Sequence, residues 1–149
     1  MREELKGRLI RHIKFLEEEI KDYALFRSLN WERYNTDRSK RRDVERWIEN
    51  VVNSSIDISK LILDAEDIRL PETYREMVSF LALVEGFDKE QLEKISQWVS
   101  LRNIIAHEYL DIRWASIKRF IRETEPLYKA FLERVKEYLR ENLENEEAT

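Results

Sequence analysis

The eight residues from Arg102 to Tyr109, here called the motif octet, carry the side chains best suited to phosphate chemistry. His107 is one of only two histidines in the chain, and an imidazole exchanges protons near neutral pH. Arg102 supplies a permanent cation that can grip a phosphate or stabilise charge building on it. Asn103 and Tyr109 add polar groups beside this pair. The combination indicates phosphodiester chemistry that needs no metal.

Helical spacing restricts how these side chains can meet. On a helix, Asn103 and His107 lie on one face about 40° apart, and Arg102 and Tyr109 share another face two turns apart. Arg102 and His107 would leave a straight helix about 140° apart, so one helix would not aim both at the same phosphate. Either the helix ends or distorts near His107, or two chains pool their residues. Because a two-fold axis makes one patch meet itself, we predict a homodimer with a shared cleft.

Other charged residues are weaker candidates. Asp57 is a carboxylate within an otherwise apolar segment, and a buried carboxylate needs a partner; Arg102 is a plausible one, although Asp57 could equally serve a local interaction. His12 lies near Arg8 and Arg11, which is typical of a solvated surface. One basic run could steer RNA, although a basic helix start interleaved with acidic residues is more often a solvated face. It contains Arg38, Lys40, Arg41, Arg42 and Arg46.

Four tryptophans could stack on nucleotide bases. Helical spacing favours core or dimer packing for Trp47 and Trp98. For Trp31 and Trp114 it does not decide between packing and stacking on bases. The sequence contains no glycine-rich phosphate loop, no cluster with metal-ligand spacing and no Ser-His-Asp order. We therefore expect neither a bound metal nor a cofactor.

Composition indicates one helical domain spanning residues 1–149. The chain has no cysteine, no apolar signal segment and no apolar run long enough for a bilayer, so we expect a cytoplasmic protein without a membrane span. There are 27 basic and 31 acidic residues, a net charge of −4. That balance counts against a nucleic-acid partner, although a local patch can still bind phosphate.

Apolar periodicity predicts an all-α fold, most simply an antiparallel bundle of four or five helices. No segment shows strand-like alternation. We expect a fifth helix that Asp111 caps and Pro126 interrupts or restarts, and a capping box formed by Asp88 and Gln91. The acidic residues 141–149 are predicted to be a frayed tail. The other helices are expected at about 3–29, 38–64, 72–84 and 89–108.

The motif octet resembles a known family signature. Arg102-Asn103-x-x-x-His107-x-Tyr109 is similar to the signature of HEPN-domain proteins, and the tyrosine extension resembles their HepT-like branch. Two further segments resemble the same family: Ile56–Ser59 resembles part of its central helix, and Pro71-x-x-Tyr74-x-Glu76 resembles the opening of its third helix. The likeness covers roughly residues 5–140.

This resemblance implies a homodimeric helical bundle that acts as a metal-independent endoribonuclease and as the toxin of a toxin–antitoxin pair. Arg102 and His107 would be the catalytic pair, with Asn103 as their polar support. The antitoxin would be a small nucleotidyltransferase of the MNT type that attaches AMP to Tyr109. The acidic residues Glu108 and Asp111 flank this tyrosine closely and leave the motif itself intact.

Reasoning from the residues alone leaves two alternatives open. In the first, the same cleft is a non-catalytic helical module that holds a nucleotide or the substrate of a partner nucleotidyltransferase, and Arg102 only grips phosphate. In the second, the bundle only dimerises and the motif lies in its interface. The catalytic hypothesis assigns proton transfer to His107 and stabilisation of phosphate charge to Arg102.

Overall fold

The computed structural model describes residues 1–148 and places them in helices joined by short connections. The four longest helices are α1 (Glu3–Lys21), α4 (Arg38–Ala65), α8 (Leu110–Glu123) and α9 (Glu125–Ala148). Between them lie α2 (Tyr23–Phe26), α3 (Trp31–Thr36), α5 (Tyr74–Ser79), a 3-10 turn (Phe80–Leu83), α6 (Lys89–Trp98) and α7 (Leu101–His107). No strand occurs among residues 1–148, so the all-α prediction is confirmed.

Helix α4 lies at the centre of the bundle, where it packs against α1, α3 and α5. It begins at Arg38 because the Asp37 side chain accepts a hydrogen bond from the Lys40 amide at 3.1 Å. Its apolar residues are buried on more than one side, as expected for a central helix. Helix α1 buries one apolar stripe and contacts both α4 and α9, which closes the bundle. The stripe consists of Leu5, Leu9, Ile13, Leu16 and Ile20.

An aromatic cluster connects the first third of the chain to the last. The Tyr23 ring lies edge-on to Trp47 at 4.7 Å and stacked near Phe120 at 6.1 Å. The Trp47 indole N–H donates to the Glu19 carbonyl at 2.7 Å. The Tyr23 hydroxyl and Thr124 Oγ1 are 2.6 Å apart, and Thr124 donates its own proton to the Phe120 carbonyl. Tyr23 is therefore the donor in a fully buried hydrogen bond.

Two predicted helices are shorter than expected. The first is divided at Asp22, whose amide donates to the Glu19 carbonyl at 3.0 Å in a tightened turn, and α2 ends at Phe26. The third begins at Tyr74, because the Thr73 hydroxyl caps the Glu76 amide at 3.2 Å. It continues directly into the 3-10 turn at Phe80–Leu83. Gly86 follows with a φ of 93°, a conformation that glycine adopts more readily than other residues.

The cap predictions had mixed outcomes. Asp88 is the N-cap of α6, as predicted, and accepts from the Glu90 amide at 3.1 Å. The reciprocal bond from the Gln91 side chain that a capping box requires is not formed among residues 1–148. Asp111 is not a cap: α8 starts one residue before it, so its carboxylate lies in the first turn, where it suits the helix dipole. Pro126 restarts the helix as predicted and lies in the first turn of α9.

The predicted frayed tail differs from the structure over residues 141–148, which continue α9 as helix. Glu146 accepts from the Met1 amino group at 2.9 Å and from the Lys6 ammonium. These ion pairs hold the last turns of α9 against α1, whereas the sequence showed only a run of acidic residues. Thr149 lies outside the described residues.

The buried Tyr23–Thr124 hydrogen bond yields a stability prediction. Thr124→Ala leaves the Tyr23 hydroxyl buried without a partner, which we expect to cost about 1–3 kcal/mol in the free energy of unfolding. Urea denaturation followed by circular dichroism measures the change.

The matched controls are Tyr23→Phe alone and then the double variant Tyr23→Phe with Thr124→Ala. Because the double variant removes both polar partners, we expect its destabilisation to be smaller than the sum of the two single changes. Additive costs would show that the two hydroxyls do not depend on each other.

Candidate functional site

The motif octet belongs to a short helix that is separate from the one before it. The expected single helix over 89–108 breaks at Val99 and Ser100, between α6 and α7. Ser96 and Ser100 each donate their hydroxyl to the carbonyl three residues earlier, at 2.8 and 2.9 Å. Such bonds compete with the backbone ladder and bend helices. Helix α7 therefore begins as a separate helix at Leu101 and carries Arg102 in its first turn.

Helix α7 ends at His107. This agrees with the first of the two options drawn from helical spacing, in which the helix ends or distorts near that residue. Glu108 and Tyr109 are extended, with ψ angles of 163° and 161°, and α8 starts at Leu110. Arg113 secures this corner, since its Nε donates to the Glu108 carbonyl at 2.7 Å. The corner presents the end of the octet outward instead of continuing the helix.

Three of the predicted site residues are exposed and unengaged. Asn103 and His107 are exposed, and Tyr109 has 83% of its surface accessible. Within residues 1–148, none of these side chains forms a hydrogen bond or an ion pair. They are free to meet a ligand, and an exposed polar cluster of this kind contributes nothing to the core.

Arg102 has a different environment, which brings two residues into the site that sequence reasoning missed. It is half-buried, and its guanidinium lies 5.3 Å from the centre of the Tyr74 ring. The Lys60 ammonium lies 4.9 Å from the same ring. Tyr74 therefore attracts two cations by cation–π interaction. The signals were present in the sequence: Tyr74 belongs to the Pro-x-x-Tyr-x-Glu segment, and Lys60 is a cation within an apolar stretch.

Arg102 and His107 do not share a face in the single chain. Both lie within α7, so their side chains leave the helix about 140° apart. No hydrogen bond joins them among the described residues. Asn103 and His107 share the exposed face, as expected from their spacing.

Asp57 lies on α4, one turn before Lys60. It lines a groove between α1 and α4 together with His12 and Asn53, and no ion pair connects it to Arg102 within residues 1–148. The expected Asp57–Arg102 pairing is therefore not formed in this chain. His12 is half-buried in that groove and is less exposed than predicted.

The basic run and the tryptophans take several roles. Arg41 donates to the Tyr34 and Asn35 carbonyls and so caps the end of α3, whereas Arg38 and Arg42 are exposed. Trp47 is in the core, as predicted. Trp98 is half-buried beside Leu101 and Ile104 in an open groove of about 710 Å³ where α6, α7, α8 and α9 meet.

Residues 1–148 contain no group of three or more histidine and acidic side chains that could hold a metal ion. In this described part of the chain, no helix is long and apolar enough to cross a membrane.

Comparisons with known proteins identify the family. The family model described as ribonuclease HepT-like matches residues 16–135. A search of curated proteins gave no significant match.

Two solved structures share the fold. One is the tri-AMPylated Shewanella oneidensis HEPN toxin in complex with MNT antitoxin, which is 18% identical, with a TM-score of 0.74 over 86% of this chain and 96% of that chain. The other is a chain from the crystal structure of a toxin–antitoxin with AMP-PNP, 17% identical, with a TM-score of 0.75 and the same coverage. At such low identity the likeness concerns the fold alone. Because the family model spans most of the chain and all of the motif octet, this protein belongs to the HepT-like ribonuclease family.

Proposed function

We propose that this chain is a metal-independent endoribonuclease and the toxin of a toxin–antitoxin pair. The observation that carries the proposal is a free, exposed imidazole on His107 at the end of a short helix whose first turn bears the half-buried cation Arg102. Membership of the HepT-like family and the fold of a HEPN toxin bound to an MNT antitoxin support it.

The proposed reaction needs one base and one cation. His107 takes the proton from a ribose 2′-OH, and that oxygen attacks the adjacent phosphorus while the bond to the 5′-oxygen breaks. The leaving oxygen takes up a proton, which gives a cyclic phosphate and a 5′-hydroxyl. Arg102 stabilises the negative charge that builds on the phosphate. Asn103, on the same face as His107, supports the phosphate or the imidazole by hydrogen bonding.

Tyr74 and Lys60 extend this proposal to the cationic half of the site. The Tyr74 ring keeps the Arg102 guanidinium in place before RNA arrives, so less side-chain freedom is lost on binding. Lys60 adds a second positive charge on the same ring, which favours a phosphate at this point.

We propose that the active site is completed by a second copy of the chain. The 140° divergence of Arg102 and His107 on α7 supports this, because a two-fold axis near the octet lets Arg102 of one subunit approach His107 of the other. The exposed side chains at the α7–α8 corner are available for such an approach, and they include Tyr109 and Ile112.

We further propose that an MNT-type nucleotidyltransferase silences the toxin by attaching AMP to Tyr109. The hydroxyl is exposed two residues after His107, so the modifying enzyme can reach it in the folded protein. An attached AMP adds bulk and negative charge where the RNA phosphate must enter.

The first prediction concerns the catalytic pair. We expect His107→Ala to lower kcat for RNA cleavage by about 100- to 10,000-fold, the range typical of a missing general base. Arg102→Ala should lower it by about 100- to 1,000-fold, and cleavage by the unaltered protein should survive EDTA. The matched control is His12→Ala, which removes the other histidine and should leave the rate unchanged.

Mixing the two inactive variants tests whether the site is shared. If each site takes Arg102 from one subunit and His107 from the other, randomly mixed dimers should recover about a quarter of the unaltered activity. No recovery would place both residues of each site on one chain. RNA binding without cleavage by the unaltered protein would favour the non-catalytic module.

The second prediction concerns Tyr74. Replacement by leucine removes the aromatic face, and we expect kcat/KM to fall about two- to fivefold, the decrease that corresponds to an exposed cation–π interaction. Tyr74→Phe keeps the face and should remain near the unaltered value. Equal effects of the two changes would assign the role to the hydroxyl, and equal melting temperatures are the check on folding.

The third prediction concerns Tyr109. After co-expression with the partner nucleotidyltransferase, mass spectrometry should find adenylyl groups on the peptide containing Tyr109. Tyr109→Phe should stay unmodified and continue to arrest growth, whereas the control Tyr74→Phe, at the other exposed tyrosine, should still be modified. Silencing without any adduct would mean that the partner inhibits by binding alone.

A further inference from the structure

A pocket between the start of α3 and one face of α8 combines two tryptophans with three cations. Trp31 at the start of α3 and Trp114 on α8 line it together with Arg27, Lys118 and Arg122. The pocket has a volume of about 290 Å³, and none of the described residues that line it is acidic. We call it the tryptophan pocket. Its local concentration of positive charge contrasts with the net charge of −4 on the whole chain.

The aromatic side of the tryptophan pocket is rigid. The Asn30 side chain caps α3 by accepting from the Arg33 amide at 2.9 Å, which fixes Trp31 in the first turn. The Trp31 ring packs near Tyr34 at 6.3 Å, and Tyr34 packs on Trp114 at 5.2 Å. Tyr34 is fully buried, whereas 40% of Trp31 remains accessible. The buried ring anchors the set, and indole surface is left open to solvent.

The cationic side of the pocket is incompletely neutralised. Lys118 and Arg122 are exposed, lie one turn apart on α8, and form no ion pair with any residue in the range 1–148. Like charges at this spacing destabilise a helix, and an anion between them removes the repulsion. Arg27 is already engaged by Glu125. The site therefore offers two free cations beside an open aromatic surface.

We propose that the tryptophan pocket binds one nucleotide of a single RNA strand, with the base stacked on Trp31 and a phosphate held by Lys118 and Arg122. Aromatic stacking combined with cationic contacts to the backbone is how proteins hold single strands, because every base has a π face. The proposal deepens the ribonuclease function and rests on it for the source of the nucleotide.

The pocket lies along α8, the helix that follows the motif octet. Trp114 follows Tyr109 by five residues, which corresponds to about 7.5 Å along the axis of α8. Because the same spacing separates side chains by about 140° around a helix, a strand cleaved at the motif octet would pass round α8 to reach the pocket. Such a second attachment point supplies attraction for RNA that the overall charge of the protein lacks.

The test measures binding, so it does not depend on catalysis. The probe is a 2′-O-methyl oligonucleotide of about eight nucleotides, which lacks the attacking hydroxyl and falls within the usual site sizes. We expect Trp31→Leu to weaken binding of this probe about 5- to 150-fold, the range that corresponds to removal of one base stack. Leucine keeps the apolar packing, so melting temperature should barely change. Trp31→Phe keeps a ring and should bind more tightly than Trp31→Leu.

The charged half of the proposal has its own measurement. Lys118→Gln with Arg122→Gln should reduce the slope of log affinity against log salt by about 0.7 for each phosphate that the protein no longer neutralises. The control pair, Arg8→Gln with Lys14→Gln, removes two exposed cations of α1 and should leave the slope unchanged. An unchanged slope in the Lys118 and Arg122 variant would overturn the phosphate assignment.

Two further results separate the RNA pocket from the proposed catalytic function. If Trp31→Leu binds the oligonucleotide normally, or if only free AMP depends on Trp31, the pocket is not an RNA site, even where His107→Ala has abolished cleavage. If Trp31→Leu loses binding while Arg102 and His107 variants still cleave RNA, the pocket assignment stands and the catalytic assignment fails.

Discussion

The geometry of the site depends on one partly buried ion pair. Arg113 on α8 lies 3.3 Å from Glu45 on α4, and the exposed fractions of their side chains are only 23% and 15%. Arg113 also binds the Glu108 carbonyl, and Glu45 accepts from the Tyr34 hydroxyl. Burial and the Glu45 carboxylate raise the pKa of Tyr34, so its hydroxyl remains a donor. Removing either charge would leave the other uncompensated in a poorly solvated place. This pair thus fixes the end of α7, the start of α8 and the ring of Tyr34 relative to α4.

The fold separates the residues that stabilise it from the residues available for chemistry. Core packing is supplied by α1, α4, α8 and α9, whose apolar stripes meet inside the bundle. Helix α7 contributes Leu101 and Ile105 to that core and leaves its polar positions outside. Because the octet is anchored by two buried side chains and one ion pair, changes at Asn103, His107 or Tyr109 leave the packing untouched. Effects of those changes on activity are therefore effects on the site.

Much of the fold follows from apolar periodicity, which placed α4 within one residue of its observed ends and gave the all-α class. The break between α6 and α7 could not be predicted from this periodicity. It arises where the hydroxyls of Ser96 and Ser100 donate to backbone carbonyls, and a serine in a sequence does not indicate whether it will form such a bond. The motif residues were identifiable from their types and spacing. Lys60 and Tyr74 are conspicuous in the sequence, but their meeting with Arg102 could not be predicted, because it depends on how α4, α5 and α7 pack together. The choice that the sequence left open for Asp57, between Arg102 and a local partner, depends on the same tertiary packing.

The hydrogen bond between Tyr23 and Thr124 spans 101 residues of sequence, and α1 packs on α9 across a similar separation. Closing so long a loop costs conformational entropy before the contacts of the core can offset it. Folding is therefore slower than in a bundle of sequential helical hairpins. On the ribosome, the N-terminal helices emerge without the surfaces that bury them. A nascent chain cannot close its core until α9 has left the ribosome, so the native packing forms only after that helix has emerged.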